Sequence, residues 1–445
     1  MKTNLTIFCY LLLSLCLPGE MKAQEPLDKY IAEAIRNNLG LQQQDFALQK
    51  SMYALKEAKG LFLPEVEFNT SYVTSGGGRK IEIPIGDLLN PVYSTLNNLT
   101  NSSRFPQVEN VSQAFNPTNY YDAKLHTTMP LYNAEVIYNS RIKKEQVSYQ
   151  QAQVKVYKRE LVKQVKLAYY GYQQSLQALK ILENGLLLAN ENLRINQSMV
   201  KNGKAIRTVV SRAENEVAGL QAQLGDAKAQ SLNAAAYFNF LLNRPLDAAI
   251  EADFQQPLVK DTTAGGQREE LAAMASATQL NELSLRMTKS NMLPKLSTFL
   301  DLGSQGDFIK VNGETPYYLF GVTLSWNIFS GNRNNNKIQQ AQLDLRSAHT
   351  QLEQVEQQLQ MEVLTAKNKL EAANQAFSAA QSQVSLSEQY FKDQQRLYKE
   401  GQALYLELLD AQTRLINDQQ KQSIAYLNVQ TRQTELERAN ASYQY

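Results

Sequence analysis

The sequence predicts an α+β membrane protein in which two tandem repeats each combine short strands with very long helices. Strict alternation of apolar and polar residues marks segments with the length of barrel strands. Apolar residues also recur at spacings of three and four through residues 331–399, without a proline, which predicts a long coiled-coil helix. Finally, the second half of the chain repeats the pattern of the first half, as in a duplicated protein.

The N-terminus, residues 1–23, has the pattern of a secretory signal. Its apolar run at 5–17 is too short to cross a bilayer, and we expect cleavage after Ala23. Both cysteines of the chain, Cys9 and Cys16, lie inside this segment, so the mature protein is expected to have no disulfide and no thiolate metal site. Lipidation at Cys16 is the less favoured alternative, because a leucine directly precedes it.

The balance of charges argues against a nucleic-acid partner. The chain has 45 Lys and Arg against 43 Asp and Glu, for a formal charge of +2, whereas phosphate backbones are bound by a concentrated basic surface. Beyond the signal there is no run of 18 apolar residues, so the sequence predicts no transmembrane helix.

The repeats are aligned by two glycines, Gly203 and Gly401, in the stretches MVKNGKA and LYKEGQA. We expect a first repeat at 24–250, a linker at 251–267 and a second repeat at 268–445. Each repeat reads helix, strand pair, long helix, glycine turn and return helix. In the first repeat, the predicted ranges are 28–60 for the helix, 66–73 and 124–132 for the strands, 133–201 for the long helix, 203 for the turn and 205–242 for the return helix. In the second repeat, they are 268–293 for the helix, 296–302 and 318–329 for the strands, 331–399 for the long helix, 401 for the turn and 403–440 for the return helix.

The alternating segments predict strands that face lipid. In 318–329, one face carries only apolar and aromatic residues, and similar alternation occurs in the other three segments. Such strands, flanked by Tyr and Trp, are typical of outer-membrane barrels, with Tyr72, Tyr318 and Trp326 as expected interface aromatics. The alternative is a sheet half-buried on a soluble core, but the remaining sequence is coiled-coil-like and offers no such core.

Counting strands predicts self-association. A barrel in lipid must be closed, because open edges leave backbone groups unpaired, and bacterial barrels have eight or more strands. One chain supplies four, so a trimer would give a 12-stranded barrel. Residues 74–122, between two predicted strands, read as an exposed polar loop.

No pattern of catalytic, cofactor-binding or metal-binding residues is found. The two histidines, His126 and His349, have no carboxylate or second histidine at ligand spacing, and no nucleophile elbow, phosphate-binding loop or dinucleotide motif occurs. We therefore expect neither enzyme activity nor a cofactor.

One motif, taken with these features, carries a resemblance. Tyr398-x-x-Gly401-x(6)-Leu408-Leu409-Asp410-Ala411-Gln412, together with the two repeats, the paired strands and the long helices, resembles the TolC-like outer-membrane efflux protein family. The resemblance covers essentially the whole mature chain. It implies a homotrimer whose 12-stranded barrel in outer-membrane lipid continues as a coiled-coil α-helical tunnel across the periplasm.

The resemblance also implies function and partners. The protein would be a passive exit duct of a tripartite efflux or type I secretion system, gated at its periplasmic tip. A periplasmic adaptor and an inner-membrane pump of the resistance–nodulation–division (RND) or ABC type would dock there. A soluble periplasmic coiled-coil adaptor is the alternative, and a diffusion porin is disfavoured because it has no use for helices about 100 Å long. The cargo, small molecules or polypeptides, stays open.

The resemblance assigns roles at the tip. It places helix-hairpin turns at Gly203 and Gly401, where family adaptors dock; the turn residues here are Lys201, Asn202, Gly203, Lys204, Lys399, Glu400, Gly401 and Gln402. Glu407 and Asp410 align with acidic positions that narrow the family's entrance, and their spacing puts them on one helix face.

Two positions depart from the family pattern. Val209 and Ala403 stand where an acidic residue and an arginine are usual, so Tyr398 loses its expected partner. Arg212, the repeat counterpart of Asp410, is a candidate member of a different tip clasp. A solvated charge on a helix face explains Arg212 equally well.

Overall fold

The computed structural model describes residues 26–116, 119–252 and 265–443. The predicted signal at 1–23, with Cys16, and most of the predicted linker at 251–267 lie outside the described residues.

The helices and strands follow one another in two similar series, one in each half of the chain. In chain order they are α1 (Pro26–Asn37), α2 (Leu39–Gly60), β1 (Glu65–Val73), β2 (Lys80–Ile83), α3 (Ile85–Thr100), β3 (Val111–Ala114), β4 (Tyr120–Tyr132), α4 (Ala134–Lys201), α5 (Arg207–Leu241), α6 (Glu269–Ser290), β5 (Lys295–Asp307), β6 (Pro316–Ser325), α7 (Arg333–Lys399) and α8 (Tyr405–Asn440).

The chain divides into two compact units. Among the described residues, the strand unit contains those of Met52–Glu145 and Leu280–Leu345, and the helical unit contains the rest. In the described residues, no helix has an apolar stretch of the length that a bilayer crossing needs.

The strand unit is built on a four-stranded antiparallel sheet with the order β1-β4-β5-β6. Its register aligns the apolar faces that alternation predicts: Phe68, Leu125, Leu302 and Tyr318 stand opposite one another across the four strands. All four side chains are exposed, as are most large apolar residues on this face. The opposite face carries polar residues, among them Lys124 and Asp301, which form an ion pair at 3.0 Å.

The ends of the strands differ from the sequence prediction. β4 and β5 are longer than predicted, whereas β6 ends at Ser325, so the predicted strand at 326–329 is wrong. Ser325 pairs with Lys295, the first residue of β5, and Pro294 before it has no N–H to continue the ladder. Trp326 lies just after the strand, and its Nε1 donates a hydrogen bond to the carbonyl oxygen of Met292 at 3.0 Å.

The segment 74–122 is more ordered than a polar loop, so that prediction is wrong in part. It contains an antiparallel strand pair, β2 with β3, and α3 lies in the connection between these strands. The side chains of Asn90 and Asn97 each bind the backbone of the following stretch, at Val108 and Phe105. The many asparagines of this segment led us to predict a loop, but the side chains of these two asparagines stabilise an ordered fold.

The predicted helix 28–60 is two helices, because the chain breaks at Asn38. The Asn38 carboxamide accepts a hydrogen bond from the backbone N–H of Leu41 at 3.0 Å and donates one to the carbonyl oxygen of Leu241 at 2.9 Å. Gly40 then lets Tyr157 approach, since a Cβ there would lie 1.9 Å from the tyrosine hydroxyl. The side chain of Asn38 thus caps α2 and links it to the end of α5.

One buried apolar cluster of the helical unit lies between α1, α4 and α5. Ile31, Val165 and Phe238 are among its fully buried residues, and the Tyr30 and Phe238 rings meet edge to face at 5.1 Å.

An ionic network lies where α6 meets α8. Glu270 binds Arg438 at 2.5 Å and Arg268 at 3.1 Å. Burial by itself raises the pKa of Glu270, but the hydrogen bonds from Arg268 and Arg438 outweigh it and lower this pKa to about 2.

Candidate functional site

The hairpin turn between α4 and α5 is built around Gly203. The backbone N–H of Lys204 donates to the carbonyl oxygen of Met199 at 2.8 Å, and that of Gly203 donates to the carbonyl oxygen of Val200 at 3.0 Å. This is a Schellman motif, which places the residue after the helix in the left-handed region, and Gly203 has φ +72°. A side chain would not clash there, so the backbone conformation alone explains the glycine.

The turn between α7 and α8 repeats this geometry. Gln402 donates to the carbonyl oxygen of Leu397 at 2.9 Å, Gly401 donates to that of Tyr398 at 3.0 Å, and Gly401 has φ +76°. Both turns therefore end a long helix by the same hydrogen bonds. All eight residues predicted to dock an adaptor are exposed, namely Lys201, Asn202, Gly203, Lys204, Lys399, Glu400, Gly401 and Gln402.

A compact apolar cluster joins the two hairpins behind these turns. Its buried members are Ala213, Phe391, Tyr398, Tyr405, Leu408, Ala411 and Leu415. Val209 and Ala403, the two positions that depart from the family pattern, both pack against this cluster. Apolar contact thus occupies the places where the family pattern has an acidic residue and an arginine.

The hydroxyl of Tyr398 is directed into the cluster and donates a hydrogen bond to Oδ1 of Asn196. Tyr398 is 5% exposed and Asn196 is 0% exposed. Arg212, by contrast, is exposed and lines a groove with Glu216 and Leu406. In the protomer, the partner of Tyr398 is therefore Asn196 and not Arg212.

Sequence reasoning missed this polar layer inside the hairpins. Asn192 donates to Oε1 of Gln412 at 2.5 Å, and both residues are buried with Asn196. The sequence did indicate that Asn192 and Asn196 are buried, because they continue the helical spacing of the buried α4 residues Leu182 and Ala189. A polar residue on an apolar seam needs a partner, and only the packing of the helices shows which one.

The predicted acidic pair lies on the exposed side of α8. Glu407 and Asp410 are both exposed, one turn apart. Oε2 of Glu407 accepts a hydrogen bond from the backbone N–H of Leu404 at 3.0 Å, so this carboxylate also caps the start of α8. Both carboxylates lie in the described part of the chain, and neither forms an ion pair with Arg212 there.

The interior of the hairpin cluster disfavours charge. Burial is the largest cause that raises the pKa of Tyr405, to about 12, and the nearby Glu216 and Tyr398 raise it further by electrostatic interaction. Burial also raises the pKa of Tyr398 and of Glu216. At neutral pH both tyrosines are therefore uncharged hydrogen-bonding groups in a water-poor site.

On the polar face of the sheet, His126 has a neighbouring carboxylate that its spacing in the sequence did not indicate. Its Nδ1 contacts Asp301 on the neighbouring strand, and Asp301 also binds Lys124. Spacing along the chain cannot reveal such a cross-strand carboxylate. Across residues 26–116, 119–252 and 265–443, no group of three or more His, Cys, Asp or Glu is placed to hold a metal ion.

Exposed apolar strands and duplicated helical hairpins of this kind define the class of outer-membrane channels that serve tripartite pumps. The chain belongs to the outer membrane efflux protein family, whose model matches residues 30–244 and 263–442. In sequence, no curated protein matches the chain significantly.

Solved structures share its fold. The outer-membrane channel OprN matches with TM-score 0.77 and 15% identity, over 94% of this chain and 90% of its own. VceC of Vibrio cholerae matches with TM-score 0.76 and 15% identity, over 94% and 96%. CmeC of Campylobacter jejuni matches with TM-score 0.74 and 13% identity, over 94% and 86%.

These findings confirm several predictions. The fold class is confirmed: a trimeric 12-stranded barrel with four strands per chain, together with long helices, in two tandem repeats. The protein is an outer-membrane efflux channel that works with an adaptor and an inner-membrane pump, and its family is one of transport ducts. Location in the outer membrane with a periplasmic extension is confirmed, and the soluble adaptor alternative is not supported.

Proposed function

We propose that the two hairpin ends of this efflux channel form its gated entrance and its adaptor-docking surface. The observation that carries the proposal is the matched pair of glycine turns, held by one buried cluster and leaving eight residues exposed, six of them polar. The duct itself is passive, and the pump supplies the energy for export.

The docking surface consists of the two turns. Three of its exposed residues are lysines, Lys201, Lys204 and Lys399, against the single acidic Glu400. An adaptor tip that presents acidic side chains or free carbonyl groups complements such a surface.

Docking is tested by site-specific cross-linking in cells. A photoreactive residue in place of Asn202 or Gln402 is expected to capture the periplasmic adaptor, identified by mass spectrometry. The same residue in place of the exposed Gln351 on α7 is the control. Equal capture at Gln351 would remove the turns from the docking surface.

The gate consists of Glu407 and Asp410. In a trimer their exposed carboxylates form two rings of three, which attract cations and repel one another. The adaptor and pump would open the entrance by moving the hairpins apart, against the packing of the buried cluster.

The gate is tested by single-channel recording in planar bilayers. The variant Glu407→Gln with Asp410→Asn removes both charges but leaves an oxygen at position 407 to cap α8. We expect weaker block by multivalent cations and altered conductance. Glu353→Gln with Glu356→Gln, two exposed carboxylates at the same spacing on α7, is the matched control. Unchanged block in the first variant would exclude these residues from the gate.

The pump is proposed to be of the RND or the ABC type, and the cargo to be small molecules or polypeptides. Export by a strain lacking this chain distinguishes the two kinds of cargo. Loss of resistance to toxic small molecules indicates a small-molecule cargo, and loss of a secreted polypeptide indicates a polypeptide cargo.

Outer-membrane lipid is proposed to cover the apolar sheet face. From Tyr318 to Trp326 the chain advances about 26 Å along the strand direction, or about 20 Å after a tilt near 40°, close to the height of a barrel's apolar band. Tyr318 is in register with Phe68, and Tyr72 lies four residues further towards that end of the sheet, which supports Tyr72 and Tyr318 as aromatics of one interface and Trp326 as that of the other. Brominated lipid should quench the fluorescence of Trp326, the only tryptophan in the chain; failure to quench would place it away from lipid.

A further inference from the structure

The two junctions that lead from a helix into the large sheet have the same local structure. The first junction is the segment 61–64 between α2 and β1, and the second junction is the segment 291–294 between α6 and β5. In each, two consecutive backbone N–H groups donate to the carbonyl oxygens three residues before them, at 3.2 and 2.9 Å. The donors are Phe62 and Leu63 in the first junction, and Met292 and Leu293 in the second. A proline, which has no N–H, follows in both cases.

Both junctions expose large apolar side chains. Phe62 is 40% and Leu63 is 65% exposed, and Met292 is 54% and Leu293 is 43% exposed. The backbone hydrogen bonds close these turns without help from the side chains. Because the N–H groups are already paired, the turns can enter apolar surroundings without leaving backbone donors unsatisfied.

The junctions lie at the end of the sheet from which the long helices start. Glu65, the first residue of β1, pairs with Thr128, and Thr128 pairs with Phe299 near the start of β5. The long helices α4 and α7 follow β4 and β6 at this same end, so it faces the periplasmic extension. The indole Nε1 of Trp326 donates to the carbonyl oxygen of Met292, which joins the second junction to the aromatic residue expected at this interface.

The apolar face of the sheet is shorter than the apolar band of a barrel. From Tyr318 to Trp326 its height is about 20 Å, whereas such a band is about 25 Å tall. One or two residues beyond the strand, at about 3.3 Å each, make up this difference. The exposed apolar side chains of the two junctions occupy these positions and continue the apolar surface.

Exposed cations precede both junctions. Lys59 lies in the last turn of α2 and Lys289 in the last turn of α6, and within the described residues neither forms an ion pair. One turn earlier, Lys56 and Arg286 are exposed as well, with Arg286 bound to Glu282. A lysine in a last turn also stabilises the helix dipole, but the dipole does not explain the apolar residues exposed directly after each helix. Cations next to exposed apolar side chains are typical of a membrane interface.

We propose that the two junctions bind anionic phospholipids of the leaflet that faces the periplasm. The apolar side chains of both junctions lie among the acyl chains, and Lys59 and Lys289 bind the lipid phosphates. This inference rests on the proposed covering of the sheet face by lipid, and it adds the depth of the protein in the membrane and the class of headgroup.

The headgroup is tested with the fluorescence of Trp326, in full-length trimers placed in equimolar phosphatidylglycerol and phosphatidylcholine. Only the first lipid is brominated in one mixture and only the second in the other. Stronger quenching by brominated phosphatidylglycerol is expected, since one cation at a membrane surface contributes about a five-fold preference. Lys59→Gln with Lys289→Gln should bring the two quenching efficiencies close together. Lys80→Gln with Lys310→Gln, two exposed lysines beyond the opposite end of the sheet, is the matched control and should keep the wild-type preference.

The depth is tested with a fluorophore on Phe62→Cys, because the only natural cysteines lie in the predicted signal. Brominated lipid should quench this fluorophore at least about five-fold more strongly than the same fluorophore on Leu343→Cys. Leu343 is a 61% exposed apolar residue of α7, about 15 Å along the helix from Arg333, where α7 begins. Both sites are exposed, so neither label disturbs a packed core.

Three outcomes would contradict different parts of this reasoning. Equal quenching of Trp326 by the two brominated lipids, or an unchanged preference in the Lys59 and Lys289 variant, would overturn the anionic headgroup while the lipid cover of the sheet still stands. A fluorophore at position 62 that responds to aqueous iodide but not to brominated lipid would overturn the insertion of the junctions. Absence of Trp326 quenching by either lipid would instead refute the proposed lipid cover of the sheet itself.

Discussion

The hydrogen bond between Tyr398 and Asn196 offers a direct test of how the hairpin ends are held together. Tyr398→Phe removes the hydroxyl but keeps the ring, which packs against Tyr405 at 5.7 Å. Oδ1 of the fully buried Asn196 then loses its donor. A buried acceptor left without a partner costs about 1–3 kcal/mol. Local opening of the hairpin ends should therefore become roughly 5- to 150-fold more frequent.

Hydrogen exchange of the detergent-solubilised trimer measures this change. Peptides covering the end of α7, residues 392–399, should exchange faster by that factor. Tyr390→Phe is the matched control, because Tyr390 lies on the same helix but is 37% exposed. The same slow exchange in Tyr398→Phe as in the wild type, or equal acceleration in Tyr390→Phe, would refute the reasoning.

Removing both partners provides an independent check. Tyr398→Phe combined with Asn196→Leu leaves no unpaired polar atom of this pair in the cluster. Replacing both members of a buried hydrogen bond by apolar groups of similar shape is close to neutral. Exchange in the double variant should therefore be slower than in Tyr398→Phe alone, which shows coupling between the two residues.

Three further predictions concern other parts of the helical unit. Gly401→Ala is expected to cost about 1 kcal/mol through the left-handed backbone alone, lowering the thermal midpoint of the trimer, and an unchanged midpoint would contradict the Schellman turn. Asn38→Ala should cost about 1–3 kcal/mol, because it leaves two backbone groups unpaired, whereas Asn37→Ala should cost under about 0.5 kcal/mol in the same denaturant titration. The pKa of Glu270 is lowered in the folded state, so its stabilising effect is complete above pH 4.5 and is lost as the pH falls towards 2, on the order of 3 kcal/mol. Thermal unfolding between these pH values should show a flatter profile for Glu270→Gln, and identical profiles would mean that Arg438 does not hold the carboxylate.

The sequence determined the plan of this protein because its periodicities are local properties. Alternation at period two located all four strands of the large sheet, and the apolar spacing of α7 located a helix from Arg333 to Lys399. The duplicated glycines located both hairpin turns, since few other residues tolerate the left-handed conformation that ends such helices. The four-strand count also required self-association, because a membrane barrel cannot remain open.

Only the tertiary structure decided where polar side chains find partners. Asn196 and Tyr398 are 202 residues apart, and His126 and Asp301 are 175 apart, so no spacing rule joins them. The end of β6 at Ser325 likewise follows from its pairing with Lys295, the first residue of β5, although alternation continues beyond Ser325 in the sequence. Periodicity reports which face of an element is buried, whereas the identity of the facing residue depends on how distant elements pack. The glycine turns could therefore be predicted from the sequence, but the buried hydrogen bond that joins the two hairpins behind them could not.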